Sequence, residues 1–208
     1  MARLRLRKQE KSYKGIIITV FIGFLMIAST IGFLVGFNSG GGPLDRQAGN
    51  EITYNGFSFI FGQNAVATTV NGRQEQFYTL PAQVEYLNFS PDIVPLLRQA
   101  EAVVLTYNSS SLEAGAYSQT LFRTKQVLEI DYGKQASLAF TERGQVGSIP
   151  VMDCRDASER IPVILLGSEP NITSILLEGN CIKVVSDNVP DFFRISDRFI
   201  YGLLGIIP

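Results

Sequence analysis

Between Ile16 and Phe37 the chain runs for 22 residues without a charge, inside the stretch "KGIIITVFIGFLMIASTIGFLVGFNSGGGP". At about 1.5 Å of rise per residue such a run makes a helix of roughly 33 Å, enough to cross a hydrocarbon core of about 30 Å. Residues 15–37 are therefore read as a single transmembrane helix, with the lipid bilayer as its partner from Ile16 to Phe37. The preceding arm, residues 1–14, "MARLRLRKQEKSYK", carries Arg3, Arg5, Arg7, Lys8, Lys11 and Lys14 against the one acid Glu10. Cations gather on the cytoplasmic side of a membrane and suit its anionic headgroups. Residues 38–50, "NSGGGPLDRQAGN", have the composition of a flexible linker, and this orientation places residues 51–208 outside the cell.

Two other fates of the apolar run have sequence signatures. A cleaved secretory signal has an apolar region of about 7–15 residues followed by a small-residue cleavage site; here the run is longer, and the small cluster Ala28-Ser29-Thr30 has Met26 and Ile27 where small residues are needed. The pair Lys14-Gly15 directly before Ile16 resembles the processing site of archaeal pilin precursors. That resemblance implies cutting after Gly15 and a helix packed into a filament. Gly32 and Gly36 form a G-x-x-x-G spacing on which two membrane helices can approach closely.

Residues 51–208 are enough for one domain with its own core. Asn55-Gly56 and Asn71-Gly72 each separate two short apolar or aromatic runs, and Asn-Gly at two-residue spacing marks a tight hairpin. An antiparallel meander of three or four strands is expected there. "SPDIVPLLRQA" from Ser90 to Ala100 reads as a short helix capped by Ser90 and started by Pro91, and "AVVLTY" (102–107) as a buried strand. "SLEAGAYSQTLFRTKQVLEI" spaces Leu112, Ala116, Leu121 or Gln119, Phe122 and Leu128 at mostly helical intervals, giving a strand–helix unit. Three β-rich runs follow, "IPVMDC", "IPVILLG" and "NCIKVVSD", and then a closing helix with Phe192, Ile195, Phe199, Leu203 and Ile206 on one face and Arg194, Asp197 and Arg198 elsewhere. The expected fold is α+β: a hairpin meander, a mixed sheet and about three helices.

The exterior part holds both cysteines, Cys154 and Cys181, and an even number in an oxidising compartment points to a disulfide. The chain has no histidine, which removes Ser-His-Asp and Cys-His catalysis and histidine-ligated zinc. No phosphate-binding glycine motif or calcium loop occurs, so no cofactor is called for. The exterior part is mildly acidic without a basic cluster, which gives no footprint for nucleic acid. Chemistry built on paired carboxylates survives these exclusions. Asp153, Arg155 and Asp156 cluster in "VMDCRDASER", and Asn108, Ser109 and Ser110 follow the "AVVLTY" strand; in an α/β sheet, loops beyond the carboxyl ends of strands bind ligands. These six residues are the candidate ligand or partner loop, with a solvated loop as the plainer reading. Asn108 and Asn171 head N-x-[ST] sequons and are candidate glycosylation sites.

At "YNGFSFIF", "IPVILL", "EGNCIKV" and "DRFIYGLLGI" the chain resembles uncharacterised single-pass membrane proteins of small-genome archaea. The resemblance implies a cell-surface setting and lends no activity. The expectation from sequence is a non-catalytic, membrane-anchored protein whose exterior domain binds another surface or membrane protein. The alternatives are a tethered hydrolase using carboxylates and a pilin-like filament subunit.

Overall fold

A computed structural model describes residues 51–63, 65–142 and 149–208. The expected arm, membrane helix and linker lie outside them. No helix among the described residues is long and apolar enough to cross a membrane.

The amino-terminal part is an antiparallel meander of β1 (Glu51–Tyr54), β2 (Phe57–Phe61), β3 (Val66–Val70) and β4 (Arg73–Phe77), in the order β1-β2-β3-β4. Its two Asn-Gly turns hold all four residues at positive φ, 47° and 82° for Asn55-Gly56 and 52° and 78° for Asn71-Gly72. That is the twist a two-residue hairpin requires, and it sets the registers Tyr54↔Phe57 and Val70↔Arg73. A 3-10 turn (Pro81–Gln83) and α1 (Ile93–Gln99) lead to the second sheet. The N-cap of α1 is Asp92 instead of the expected Ser90.

The second sheet is mixed. It contains β5 (Ala102–Tyr107), β6 (Gln135–Phe140), β7 (Val163–Ser168), β8 (Ser174–Glu178) and β9 (Cys181–Ser186), in the order β6-β5-β7-β9-β8. Strands β6, β5, β7 and β9 run parallel, and β8 returns antiparallel on β9. Helix α2 (Ala114–Ile130) connects β5 to β6, and α3 (Val189–Leu203) follows β9. The fold is thus α+β, with three α-helices and two sheets among the described residues.

Alternation along the strands divides the second sheet into two faces. Val103, Leu105, Ile164, Leu166, Ile182 and Val184 join α2, α3 and the meander residues Phe59, Val66, Val70 and Phe77 in one core. Val104, Ala139, Val163 and Cys181 face the other way and are covered by Met152, Cys154 and Ala157. The expected strand "IPVMDC" is this cover. Val151 makes only an isolated bridge to Phe140, and at Cys154–Asp156 the chain winds into a 3-10 turn.

Helix α3 buries four of the five apolar residues expected of it, Phe192, Ile195, Phe199 and Leu203, and the fifth, Ile206, joins the core from beyond the helix end at Leu203. Asp197 and Arg198, assigned from sequence to its polar side, are buried as well, at 0% and 3% exposure. The reason is that α3 is covered on two sides: it packs on the second sheet, and Tyr201 stacks on Phe77 of the meander with ring centres 4.0 Å apart. Gly202 permits the close approach of Phe89, whose ring atoms would stand 2.6–2.8 Å from a Cβ at that position. In α2 the buried stripe runs through Tyr117, Thr120, Leu121, Thr124, Val127 and Leu128, while Phe122 is exposed and Leu112 lies before the helix, fully exposed.

Candidate functional site

The sequence-derived loops fall in two different places. Asn108, Ser109 and Ser110 lie at the carboxyl end of β5, where the Asn108 side chain accepts from Ser110 N at 2.8 Å and its carbonyl accepts from Ser111 N. Asp153, Arg155 and Asp156 lie over the back face of the sheet. There Asp153 Oδ1 accepts from Arg155 N at 2.8 Å, Asp153 Oδ2 meets the Arg155 guanidinium at 2.5 Å, and Asp156 Oδ2 accepts from Asp153 N at 2.8 Å. Both carboxylates are thus engaged in capping their own 3-10 turn. The Arg155 hydrogen bonds hold the Asp153 carboxyl below its usual range. Each loop closes on itself, and no hydrogen bond joins the two among the described residues. Asn108 and Asn171 are both exposed; Asn171 takes a positive φ of 61°, and its N–H donates to Asp187.

Cys154 and Cys181 form a disulfide, Cα to Cα 5.2 Å. It fastens the covering segment to the first residue of β9. Among the described residues no group of three His, Cys, Asp or Glu side chains is placed to hold a metal ion.

The structure builds a concave site elsewhere, between β4 and α2. Strand β4 is clamped to α2 at both ends. At one, Arg73 Nη2 and Asn71 Nδ2 donate to Asp131, the residue that ends the helix, at 2.6 and 3.1 Å. At the other, Arg123 Nη2 donates to the Gln76 carbonyl at 2.6 Å while its Nη1 pairs with Asp197 at 2.9 Å. Between these clamps is a cleft of about 340 Å³ lined by Gln74, Glu75, Gln76, Tyr78, Arg123 and Gln126, with others.

Hairpin register decides which backbone groups face this cleft. Because the two-residue turn pairs Val70 with Arg73, residues 73, 75 and 77 turn their N–H and C=O toward β3, and Gln74 and Gln76 turn theirs outward. Arg123 takes the Gln76 carbonyl. The Gln74 N–H and C=O and the Gln76 N–H have no backbone partner among the described residues. Beside them the Arg123 guanidinium lies over the Phe77 ring at 5.2 Å and near the half-exposed Tyr78 ring at 6.0 Å.

Asp197 fixes this arrangement from beneath. Its carboxylate accepts from Tyr78 N (2.7 Å), Thr79 N (2.8 Å), Thr79 Oγ1 (3.0 Å) and Arg123. Burial pushes its pKa up, against the pull of Arg123 and Thr79. Chemically the cleft offers two backbone donors, one acceptor, an aromatic wall and a held guanidinium. That set suits an extended peptide better than a small reactive substrate. Sequence reasoning missed it because Gln74, Gln76 and Arg123 carry no motif; the Asn71-Gly72 turn, which fixes the outward register of Gln74 and Gln76, was the one available signal.

Comparison of the chain with protein-family models, with curated proteins and with solved structures found no match in any of the three.

Proposed function

We propose that this chain is a single-pass membrane-anchored protein whose extracytoplasmic α+β domain binds an extended segment of a surface or membrane protein in the cleft between β4 and α2. The anchor is the Ile16–Phe37 run, with residues 1–14 cytoplasmic. The Cys154–Cys181 disulfide fits an oxidising exterior, where such bonds persist.

The observation that carries the binding reading is the open edge of β4 inside a cleft walled by a helix. Edge strands expose a row of unpaired donors and acceptors, and a peptide that adds as a further strand satisfies them while its alternate side chains meet the wall. Arg123 leaves the Gln74 end of the edge free and closes the Gln76 carbonyl, which favours a short addition of a few residues.

The test uses the full chain in detergent against a displayed library of random peptides. Gln74→Pro removes the outward N–H without breaking a bond to β3, a position where an edge strand tolerates proline. The unmodified chain and Gln74→Ala should enrich a common set of extended peptides, and Gln74→Pro should weaken their binding at least tenfold. Unchanged binding by Gln74→Pro, or no enrichment by the unmodified chain, would overturn the cleft reading. The anchor is tested separately: external protease on intact cells should remove residues 51–208 from a chain that still begins before Ile16. A chain beginning at Ile16 would replace the anchor with a filament helix.

A further inference from the structure

Along the outer edge of β4 the backbone groups come in a fixed order: the Gln74 N–H, the Gln74 carbonyl, the Gln76 N–H and the Gln76 carbonyl. The first three have no backbone partner among the described residues, and the fourth accepts from Arg123 Nη2 at 2.6 Å. A guanidinium has five N–H donors. Arg123 spends one on the Gln76 carbonyl and one on Asp197, and the rest have no protein partner among the described residues. Its side chain is 22% exposed and lines the cleft, so the guanidinium stays within reach of a ligand.

A strand running the full length of this edge would meet a mismatch at Gln76. Its N–H would have to reach a carbonyl on which a cation already stands. In antiparallel pairing the residue opposite Gln76 brings that N–H, and a partner that began there would set its terminal ammonium beside the guanidinium. Parallel pairing orders the bonds differently. The Gln74 N–H donates to one partner carbonyl, the Gln74 carbonyl accepts the N–H of the residue two further on, and the Gln76 N–H donates to the carbonyl of that same residue. When the partner ends at this residue, no N–H is left over for the Gln76 carbonyl. The group that accepts from the Gln76 N–H is then a carboxylate, and Arg123 lies beside it.

We infer that the cleft recognises a free carboxyl terminus: the last three residues of a partner protein lie parallel to β4, with the terminal carboxylate between the Gln76 N–H and the Arg123 guanidinium. This rests on the strand-addition reading of the cleft and fixes the direction of the added strand and the place where it stops. Both ends of a backbone hydrogen-bond ladder and a terminal carboxylate are known elements of peptide recognition. The side chain of the terminal residue shares the face of Glu75, so it points toward α2 and into the cleft of about 340 Å³, among Gln126 and Tyr78. The residue before it shares the exposed face of Gln74 and stays in solvent. Hydrogen bonds to an ionised acceptor are about twice as strong as neutral ones, so the carboxylate anchors the peptide and the cleft selects its last side chain.

The test uses the full chain in detergent and a peptide library displayed with free carboxyl ends. Enriched peptides are resynthesised in three forms: with the carboxylate, with a carboxamide in its place, and with two glycines added after the last residue. The carboxamide and the extension should each weaken binding at least tenfold, a reading that needs no change to the protein. If all three forms bind equally while Gln74→Pro still weakens them, the carboxyl terminus is overturned and strand addition stands. No enrichment by the unmodified chain overturns both. Direction is read with a photoreactive group on the fourth residue from the end, which parallel pairing sets beside Gly72. It should label the Asn71-Gly72 turn, and labelling around Tyr78 instead overturns the proposal.

Discussion

Asp197 has no exposure and four hydrogen bonds, which together join α3 to the end of the meander and to α2. Replacing it by Asn would turn an amide against groups that are themselves donors and leave the Arg123 guanidinium, 22% exposed, without its carboxylate. Removing one partner of a buried pair costs about 3–5 kcal/mol. Asp197→Asn should lower the urea midpoint accordingly, and a loss under about 1 kcal/mol would show that the Asp197 contacts do not hold the meander in place. None of this was legible in the sequence. Asp197 fits the polar side of an amphipathic pattern, and its partners lie 74 to 119 residues away along the chain. Asp153 and Asp156 are the reverse case. Their closeness in sequence made them part of a candidate ligand or partner loop, with carboxylate chemistry as an alternative, and that closeness also lets each cap the turn between them.

At the scale of elements, legibility followed the strength of local signals. Asn55-Gly56 and Asn71-Gly72 specify positive φ at both turn positions, so β1 to β4 could be read directly. Strand β6, "QASLAF", was missed because two alanines stand at its buried places, and small residues suffice there under α2 and Met152. Strand β8, "SILLE", is an apolar run too short to tell from a turn. "IPVMDC" has the composition of a strand but lies across the sheet's back face as a cover held by the Phe140–Val151 bridge, by the Thr106 hydroxyl donating to the Met152 carbonyl at 2.8 Å, and by the disulfide. The bond closes a loop of 27 residues, worth about 3–4 kcal/mol on the chain-entropy account. Replacing Cys154 and Cys181 together by Ala should lower unfolding free energy by up to that amount, and adding reductant to the unmodified chain should reproduce the loss. A double variant as stable as the oxidised chain would mean that the cover adds nothing to the fold.

Over the whole molecule, four tyrosines stand at the joints between its layers. Tyr54 donates to Glu85 at 2.5 Å, Tyr132 to the Leu203 carbonyl at 2.7 Å and Tyr201 to the Thr79 carbonyl at 2.6 Å. Tyr117 lies edge-on to Tyr107 and Phe192, its hydroxyl beside those of Ser111 and Ser168 without an aligned bond to either. All four phenols are raised above their ordinary value: Tyr54 chiefly by its hydrogen bond to Glu85, and Tyr117, Tyr132 and Tyr201 chiefly by burial, which disfavours the phenolate. The sign of the linkage follows. A phenol with a raised folded pKa loses its proton more readily in the unfolded chain, at about pH 10. Its contribution to stability is complete below that pH and is lost as pH rises through the folded value. Stability should therefore show no tyrosine-linked fall between neutrality and about pH 9, and a steep one above about pH 10. Phenolate absorbance and far-ultraviolet circular dichroism followed together should show the three tyrosines raised by burial, Tyr117, Tyr132 and Tyr201, ionising in the same cooperative step in which helix and sheet are lost. If all the tyrosines titrated smoothly near pH 10 with the dichroism unchanged, the joints between meander, helices and mixed sheet would be open to water, and the shared core that positions the β4–α2 cleft would be wrong.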